Sequence, residues 1–197
     1  VDAVSSLGGV KVEMDAWGID FLLTSSQKCL ALPPGLSLAG VNDKAMKKAE
    51  TVPNRGWYFD LLLMEKHRLK DSTPMTPVIP LIYALDYQLD RMFAEGLEAR
   101  FARHAAMSQR VYTWCAEHGM AALAEAEYRS KTVATVKNEL GWAIGDLNKF
   151  LLANYDLRIA NGYGELKDKT FRVATMGETD MALVEKLLQG FEAFMKQ

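Results

Sequence analysis

The beginning of the chain alternates short apolar runs with polar turns, a pattern that predicts β-strands. Residues 10–15 (VKVEMD) alternate apolar and polar side chains, as a half-exposed strand does. Residues 17–25 and 36–41 are predicted as short buried strands on either side of a turn that contains two prolines and a glycine. Residues 1–5 have the composition of the end of another buried strand. Short strands that give way to helices predict an α/β sheet.

Helical periodicity dominates the rest of the chain. Helices are predicted from about Asp43 to Glu50 and from about Phe59, and three prolines predict a rigid extended crossing over residues 72–80. From Leu81 apolar residues recur every three or four positions, with an interruption at Gly96. The remaining predictions are a helix after Gly96, strands at 132–136, 156–160 and 170–176, a helix at about 142–154, and a last helix from about Thr179.

These patterns predict two domains, 1–95 and 96–197, of which the second is a small sheet covered by helices. On the helix after Gly96, the predicted inner face includes Leu97 and Val111. On the last helix, the predicted buried positions are Met181, Val184, Leu188, Phe191 and Met195.

Composition narrows the class of protein. The chain has 197 residues, of which 49% are hydrophobic and 24% charged, and its net charge of -2 gives no case for nucleic acid or an anionic membrane surface. Two distant cysteines make neither a disulfide framework nor a zinc site, and a reducing cytosol fits them best. No run approaches the roughly 18 apolar residues that span a bilayer. A first residue other than Met, within an apparent strand, predicts a piece of a longer chain.

Lys28 is the first candidate for chemistry. It follows Ser-Ser-Gln between two predicted strands, where a lysine is ordinarily a solvated loop residue. Loops at the carboxyl ends of strands in α/β sheets also bind ligands, however, and a poorly solvated lysine there becomes an amine nucleophile. Both interpretations stay open from the residues alone.

Asp2 and Arg172 have similar alternatives. Asp2, in an apolar strand, is either an ion-paired or exposed strand end, or a carboxylate that holds a protonated ligand nitrogen. Arg172 has Phe171 and Val173 on the opposite face of its predicted strand. It either forms a structural ion pair with a helix or binds a carboxylate with both terminal nitrogens.

Other residues give weaker signals. The three histidines lack ligand spacing, and Cys29 is predicted to be a small buried filler. The loop NGYG (161–164) is a turn first and a phosphate cradle second, because it joins two strands and opens no helix.

Several stretches, in order along the whole chain, resemble class V aminotransferases of fold type I, particularly the alanine–glyoxylate and serine–pyruvate group. They are DAVSSLGG (2–9), WGID (17–20), SSQKCLALPPGL (25–36), GWYFDL (56–61), TPMTPVIPLIYAL (73–85) and FRVATMG (171–177). The resemblance implies the C-terminal part of a fold-type I pyridoxal-phosphate-dependent transferase, with a remnant of the large-domain sheet and the small α+β C-terminal domain.

The resemblance also implies roles for single residues. Lys28 is similar to the lysine that forms the internal aldimine and moves the substrate proton, and Asp2 to the carboxylate on the pyridine nitrogen. Val4 is similar to the apolar residue packed under the ring, and Gln27 to the neighbour of the lysine that contacts the cofactor near its phosphate. Thr76 matches the threonine that reaches the phosphate from the neighbouring subunit, and Arg172 matches the arginine that binds the substrate carboxylate. Thr73 stands where some members carry an aromatic phosphate contact.

The implied activity is transamination between alanine or serine and glyoxylate or pyruvate, in a cytoplasmic homodimer that binds pyridoxal 5'-phosphate and no metal. Two alternatives stay open. Instead of an aminotransferase, the chain could be a truncated, non-catalytic binding or assembly module, or it could be part of a class V pyridoxal-phosphate lyase.

Overall fold

The chain, described from Val1 to Gln197 in a computed structural model, divides into two compact units. Unit 1 comprises Val1–Leu7 and Val12–Arg91, and unit 2 comprises Gly8–Lys11 and Met92–Gln197. The division falls inside a helix, shortly before Gly96. No sequence pattern indicated that the short segment Gly8–Lys11 belongs with unit 2. The domain limits 1–95 and 96–197 stay a prediction.

Unit 1 contains a two-stranded antiparallel sheet and three helices. Phe21 pairs with Val41 and Ser25 with Ser37 in the sheet. The elements are β1 (Phe21–Ser25), β2 (Ser37–Val41), α1 (Asp43–Glu50), α2 (Leu61–Arg68) and α3 (Ile79–Glu95), the last of which continues into unit 2.

The predicted helix at 43–50 is confirmed, and its start has a clear cause. Asn42 has an extended backbone, and its side-chain oxygen accepts a hydrogen bond from the Ala45 amide at 3.0 Å, as an N-cap does. The same side chain donates to Asp20 at 2.9 Å, and Lys44 donates to the other Asp20 oxygen at 2.7 Å. This cap therefore ties α1 to the residue that precedes β1.

The strand predicted at 10–15 is wrong. The alternating residues have no strand beside them, and the chain instead turns through Met14–Gly18, where the Trp17 amide donates to Glu13 O at 3.0 Å. The extended crossing is also shorter than predicted, because α3 already begins at Ile79 and takes Pro80 into its first turn, where a missing N–H costs nothing.

Unit 2 contains a three-stranded antiparallel sheet with the order β3-β5-β4. Arg172 of the central strand faces Thr135 on one side and Ala160 on the other. The remaining helices and strands of this unit are α4 (Leu97–Glu117), β3 (Val133–Lys137), α5 (Ile144–Tyr155), β4 (Ala160–Asn161), β5 (Thr170–Ala174) and α6 (Met181–Phe194). Single 3-10 turns lie at Ala126–Tyr128 and Gly164–Leu166.

A single apolar core stabilises unit 2. Phe171 is fully buried, and its ring centroid lies 5.8 Å from that of Trp142 and 5.9 Å from that of Phe191. The helix periodicity predicted the middle of each helix better than its ends. Met181, Met195 and Leu97, which were predicted to be buried, are 38%, 38% and 39% exposed, because the ends of their helices extend past the core.

Two arginines of α4, Arg100 and Arg103, form hydrogen bonds to the end of α3. Arg100, which is 1% exposed, donates to Glu95 at 2.7 Å, to Gly8 O at 3.0 Å and to Gly177 O at 3.2 Å. Arg103 donates to Glu95 at 2.6 Å and also to Gly177 O at 3.2 Å. A buried guanidinium is stable only when its N–H groups are paired. This cluster therefore holds the early segment Gly8–Lys11 within unit 2.

Two helical glycines should respond oppositely to substitution by alanine. A Cβ on Gly190 would lie 2.6 Å from the buried Leu151, so overpacking by about 1–3 kcal/mol outweighs a helix-propensity gain of about 1 kcal/mol. A Cβ on Gly145 would meet nothing within 4 Å. We expect Gly190→Ala to lower the thermal midpoint and Gly145→Ala to raise it by a few degrees. Thermal unfolding followed by circular dichroism checks both, and equal shifts would contradict the packing argument.

The Glu95 carboxylate should make stability depend on pH. Its hydrogen bond from Arg103, followed by that from Arg100, lowers the pKa of Glu95 from 4.5 to about 2. A carboxyl whose pKa is lower in the folded state stabilises the protein above its unfolded pKa, and this contribution disappears as the pH falls from 4.5 toward 2. We expect Glu95→Gln to remove this contribution, which solvent screening at the exposed carboxylate holds to about 1 kcal/mol.

Urea unfolding at pH values between 7 and 3 measures the effect. The wild-type free energy of unfolding should fall more steeply with acid than that of Glu95→Gln. Glu165→Gln, at an exposed carboxylate, is the control and should run parallel to the wild type. Parallel curves for Glu95→Gln as well would show that the ion cluster contributes little.

Candidate functional site

The turn after β1 is held by one buried serine. Ser26 is fully buried, and its hydroxyl donates to Pro33 O at 2.7 Å and accepts from the Leu36 amide at 3.3 Å. Its backbone amide also donates to Leu36 O at 3.0 Å. Ala31, within this turn, has a left-handed φ of 57°, which costs an alanine about 1–2 kcal/mol. The Ser26 bonds therefore fix a turn that the local sequence alone would not adopt.

Lys28 lies in this turn with its amine unpaired. The residue is half-buried, its backbone oxygen accepts from the Ala31 amide at 2.9 Å, and its side chain forms no hydrogen bond or ion pair. The next residue, Cys29, is fully buried, and its thiol donates to Ser5 O at 3.4 Å. The prediction that Cys29 fills a small buried space is thus confirmed.

Asp2 lies beside β1 because the first residues pair with that strand. Asp2 forms a parallel bridge with Leu23, and the Ala3 amide donates to Leu23 O at 2.8 Å. The Asp2 carboxylate is exposed and accepts from the Val4 amide at 2.8 Å through one oxygen only. No ion pair involves Asp2, so the salt-bridge interpretation is wrong.

The parallel pairing brings the segment after Asp2 toward the Lys28 turn. In a parallel pair both strands run to the same edge, and β1 ends at Ser25, just before the turn. The bond between Cys29 and Ser5 shows that the two segments meet there. Asp2 and Lys28 therefore lie on neighbouring segments of unit 1, one beside β1 and the other just after it.

The remaining predicted residues of unit 1 are less constrained. Val4 is half-buried, and Gln27 and Thr76 are exposed with no side-chain hydrogen bond. Nothing in the structure joins Thr76 to Lys28 or Asp2. The neighbouring Thr73 hydroxyl donates to Met75 O at 2.6 Å, so its one donor is already used within its own turn.

Arg172, in unit 2, has a guanidinium that is only partly engaged. Phe171 and Val173 are buried on the opposite face, as predicted. Arg172 Nε donates to Asn161 O at 3.0 Å, while Nη1 and Nη2 make no hydrogen bond. No helix supplies an acid to this arginine, so the structural ion pair is wrong. The free Nη pair has the geometry for a carboxylate.

The polar groups around Lys28 suit pyridoxal 5'-phosphate. Lys28 provides an unpaired amine, Asp2 provides a carboxylate with one free oxygen, and Gln27 provides a free amide. In addition, Ser25 Oγ, at the last residue of β1, is buried without a partner. A buried hydroxyl without a partner is uncommon in a folded protein, and a ligand group would satisfy it. An aldehyde combines with an amine, a protonated ring nitrogen pairs with a carboxylate, and a phosphate accepts hydrogen bonds from neutral donors such as an amide or a hydroxyl.

No sequence pattern indicated the residues that support the two candidate segments, one in unit 1 and one in unit 2. Ser26 and Asn161 hold the turns next to Lys28 and Arg172, but serine and asparagine in a loop give no signal that separates them from solvated neighbours. The phosphate-cradle interpretation of residues 161–164 is wrong. The Gly162 amide already donates to Thr170 O at 2.9 Å and to its neighbour's Oδ1 at 2.7 Å.

A cavity elsewhere in the chain does not coincide with the predicted site residues. A shallow cavity of about 310 Å³ at the start of α6 is lined by Glu178, Asp180, Ala182, Leu183 and Lys186, none of which is a predicted site residue. No cluster of His, Cys, Asp and Glu has the arrangement of a metal site. None of the helices combines the length and the apolar surface that crossing a membrane requires.

Comparison with known proteins identifies relatives. The sequence profile of the family Aminotransferase class-V matches residues 1–163. The L-aspartate–glyoxylate aminotransferase of Paracoccus denitrificans is 34% identical over 184 residues, which cover 93% of this chain and 46% of the relative. The serine–glyoxylate aminotransferase of Arabidopsis thaliana is 31% identical over 198 residues, covering 100% of this chain and 49% of the relative.

A solved structure agrees with the sequence comparison. The crystal structure of the alanine–glyoxylate aminotransferase from Nostoc sp. superposes with a TM-score of 0.91 at 31% identity, over 99% of this chain and 53% of that one. The chain therefore spans about half the length of the relatives that it matches.

Proposed function

Because the chain belongs to the class V aminotransferase family, we propose that it is part of a pyridoxal-phosphate-dependent aminotransferase for a small amino acid and a 2-oxo acid. One observation carries this proposal. Lys28 presents an unpaired amine on an ordered turn that directly follows β1, the strand beside which Asp2 lies with a half-engaged carboxylate.

Within unit 1, the proposal gives each residue a task. Pyridoxal phosphate, when bound, supplies the electron sink that stabilises negative charge at the substrate α-carbon. Lys28 would hold the cofactor through its Nζ, and the same amine would take and return the proton at the substrate α-carbon. Asp2 would hold the cofactor's protonated nitrogen with its free oxygen. Val4 would supply an apolar contact to the cofactor, and Gln27 an amide donor for its phosphate.

Arg172 has the task of binding the substrate. Its two free terminal nitrogens donate to the two oxygens of the α-carboxylate that amino acids and 2-oxo acids share. Both half-reactions use substrates with this carboxylate, so one arginine serves both.

The substrates proposed are alanine or serine as donor and glyoxylate or pyruvate as acceptor. The three relatives described above are named for L-aspartate, serine and alanine respectively, and all three for glyoxylate. Their shared acceptor favours glyoxylate over pyruvate. Thr76 is proposed to reach the phosphate of a neighbouring subunit in a homodimer, and its exposed, unpaired hydroxyl supports that role. The absence of a disulfide between the two cysteines supports the proposed reducing, cytoplasmic setting.

A lyase that handles sulfur is a weaker candidate. Such chemistry needs an accessible thiolate, and both cysteines are buried. Burial also raises the pKa of Cys115 to about 12, so that its thiol stays protonated. A non-catalytic binding module is the other alternative, and it is distinguished from the enzyme by the chemistry of Lys28.

The proposal predicts that Lys28 combines with the cofactor. The chain mixed with pyridoxal phosphate should turn yellow, and borohydride reduction should join the cofactor covalently to Lys28, as peptide mass spectrometry will show. Lys28→Ala and Lys28→Arg should both lose the colour, because neither side chain has a nucleophilic amine. Lys44→Ala, at an exposed lysine of the same unit, is the control and should keep it. Equal labelling of the Lys28→Ala chain would overturn the proposal and favour the binding module.

Arg172 should determine the affinity for the substrate carboxylate. In the whole enzyme that carries this chain, Arg172→Lys should raise the KM for the 2-oxo acid by at least about tenfold, because a point charge cannot replace two parallel N–H bonds. Arg158→Lys, at an exposed arginine of unit 2, should leave the KM unchanged. Steady-state kinetics measures both, and an unchanged KM in Arg172→Lys would remove Arg172 from the site.

A further inference from the structure

The direction of the Arg172 fork is set by a single hydrogen bond. Of its three nitrogens only Nε is engaged, and its acceptor is the backbone oxygen of Asn161 at 3.0 Å. A guanidinium is planar, so fixing the Nε–H direction also fixes the plane and direction of the Nη pair. Whatever holds the Asn161 oxygen in place therefore orients the carboxylate-binding groups.

The Asn161 side chain holds that oxygen in place. Its Oδ1 accepts from the Gly162 amide at 2.7 Å and from the Asp168 amide at 2.9 Å, and its Nδ2 donates to Asp168 Oδ1 at 2.6 Å. The two bonds to Asp168 join the two ends of the loop 161–168, and the third fixes the amide of the adjacent Gly162; we call all three the asparagine clasp. The strand β4 has only two residues and pairs with one neighbour. Asn148 holds its beginning through two bonds to the Ile159 backbone, at 3.0 and 2.9 Å. Its other end, at Asn161, is held by the clasp and by the bond from the Gly162 amide to Thr170 O at 2.9 Å.

The rest of the loop fits closely around the clasp. A Cβ on Gly162 would lie 1.9 Å from Leu166 O, so no larger residue fits there. Asp168 has a φ of 62°, a left-handed conformation that Asp and Asn tolerate better than most residues. The loop is thus built so that its two ends meet at the side chain of Asn161.

We propose that Asn161 is a positioning residue for substrate binding, which acts through Arg172 by fixing the acceptor of its Nε–H. This inference rests on the proposed role of Arg172 as the ligand of the substrate carboxylate. Asn161 touches no substrate itself. Without the clasp, the guanidinium samples more directions. Binding a carboxylate then costs more entropy, because the guanidinium must return to one direction.

The test uses pyruvate as the probe and the chain as it is. Pyruvate titration is followed through the ¹H–¹⁵N signal of Arg172 Nε, and the fold is checked by circular dichroism. The wild-type signal should be distinct, because its N–H is hydrogen-bonded, and should shift on titration. In Asn161→Ala the signal should merge with those of the free arginines, and the Kd for pyruvate should rise by about three- to tenfold.

Two further variants separate positioning from simple loss of stability. The double change Asn161→Asp with Asp168→Asn keeps the amide–carboxylate bond with its direction reversed, and should restore the signal and bring the Kd to within about twofold of wild type. Asp168→Gly keeps the left-handed backbone but removes one bond of the clasp, and should weaken binding partly. It serves in place of Asn161→Ala if that variant does not fold. Asn154→Ala, which removes an exposed amide bonded only to Phe150 O, is the control and should change nothing.

Each outcome decides between the proposals. An unchanged signal and Kd in Asn161→Ala would overturn the positioning role and leave the proposed function intact. A double variant as weak as Asn161→Ala would also overturn it. If pyruvate shifts no Arg172 signal in the wild type, Arg172 does not bind the carboxylate and the inference fails, whereas labelling at Lys28 tests the cofactor chemistry separately.

Discussion

The burial of Phe171 is the interaction on which unit 2 depends. Its ring packs between Trp142 and Phe191, and replacing a fully buried phenylalanine by alanine costs about 3–5 kcal/mol. Side chains alternate along a strand, so the same burial places Arg172 on the other face of the sheet. The energy of the core therefore also determines the face of the sheet on which the guanidinium lies. No separate device is needed to keep this charge out of the core.

Unit 1 depends more on backbone hydrogen bonds than on an apolar core. The continuous cluster of buried apolar side chains, from Met107 to Phe191, lies wholly in unit 2. In unit 1, Ser26 and the parallel pairing of Asp2 with Leu23 do the equivalent work. Hydrogen bonds are directional, and a turn that is fixed by several of them holds its side chains in one orientation. That property suits the role proposed for Lys28.

The parts of the fold that periodicity predicted well are those where burial decides. α1 and the middle of α6 match their predicted positions, and the class predicted from the resemblance is confirmed by the superposition on a solved aminotransferase at a TM-score of 0.91. Residues 10–15 failed because alternation predicts a strand only where a neighbour exists to pair with it. Nothing local could have placed Gly8–Lys11 in unit 2, since its partner Arg100 is distant in sequence.

The candidate site was predictable from motifs, whereas its supporting residues were not. Periodicity alone left Lys28 as an ordinary loop lysine, and only the order of several motifs pointed to a Schiff-base lysine. The handedness of Ala31 and the bonds of Ser26 arise from tertiary contacts, which a loop sequence does not encode in any readable pattern.

The polar residues of the candidate segments differ in how much of their hydrogen-bonding capacity is used within the chain. Ser26, Asn42 and Asn161 both donate and accept through their side chains, so they stabilise turns and a helix start. Lys28 and Arg172 keep donors unspent on ordered backbone, as solvated residues such as Arg158 also do. Their donors are therefore available to a ligand, and it is their place in the motifs that singles these two residues out for the proposed roles.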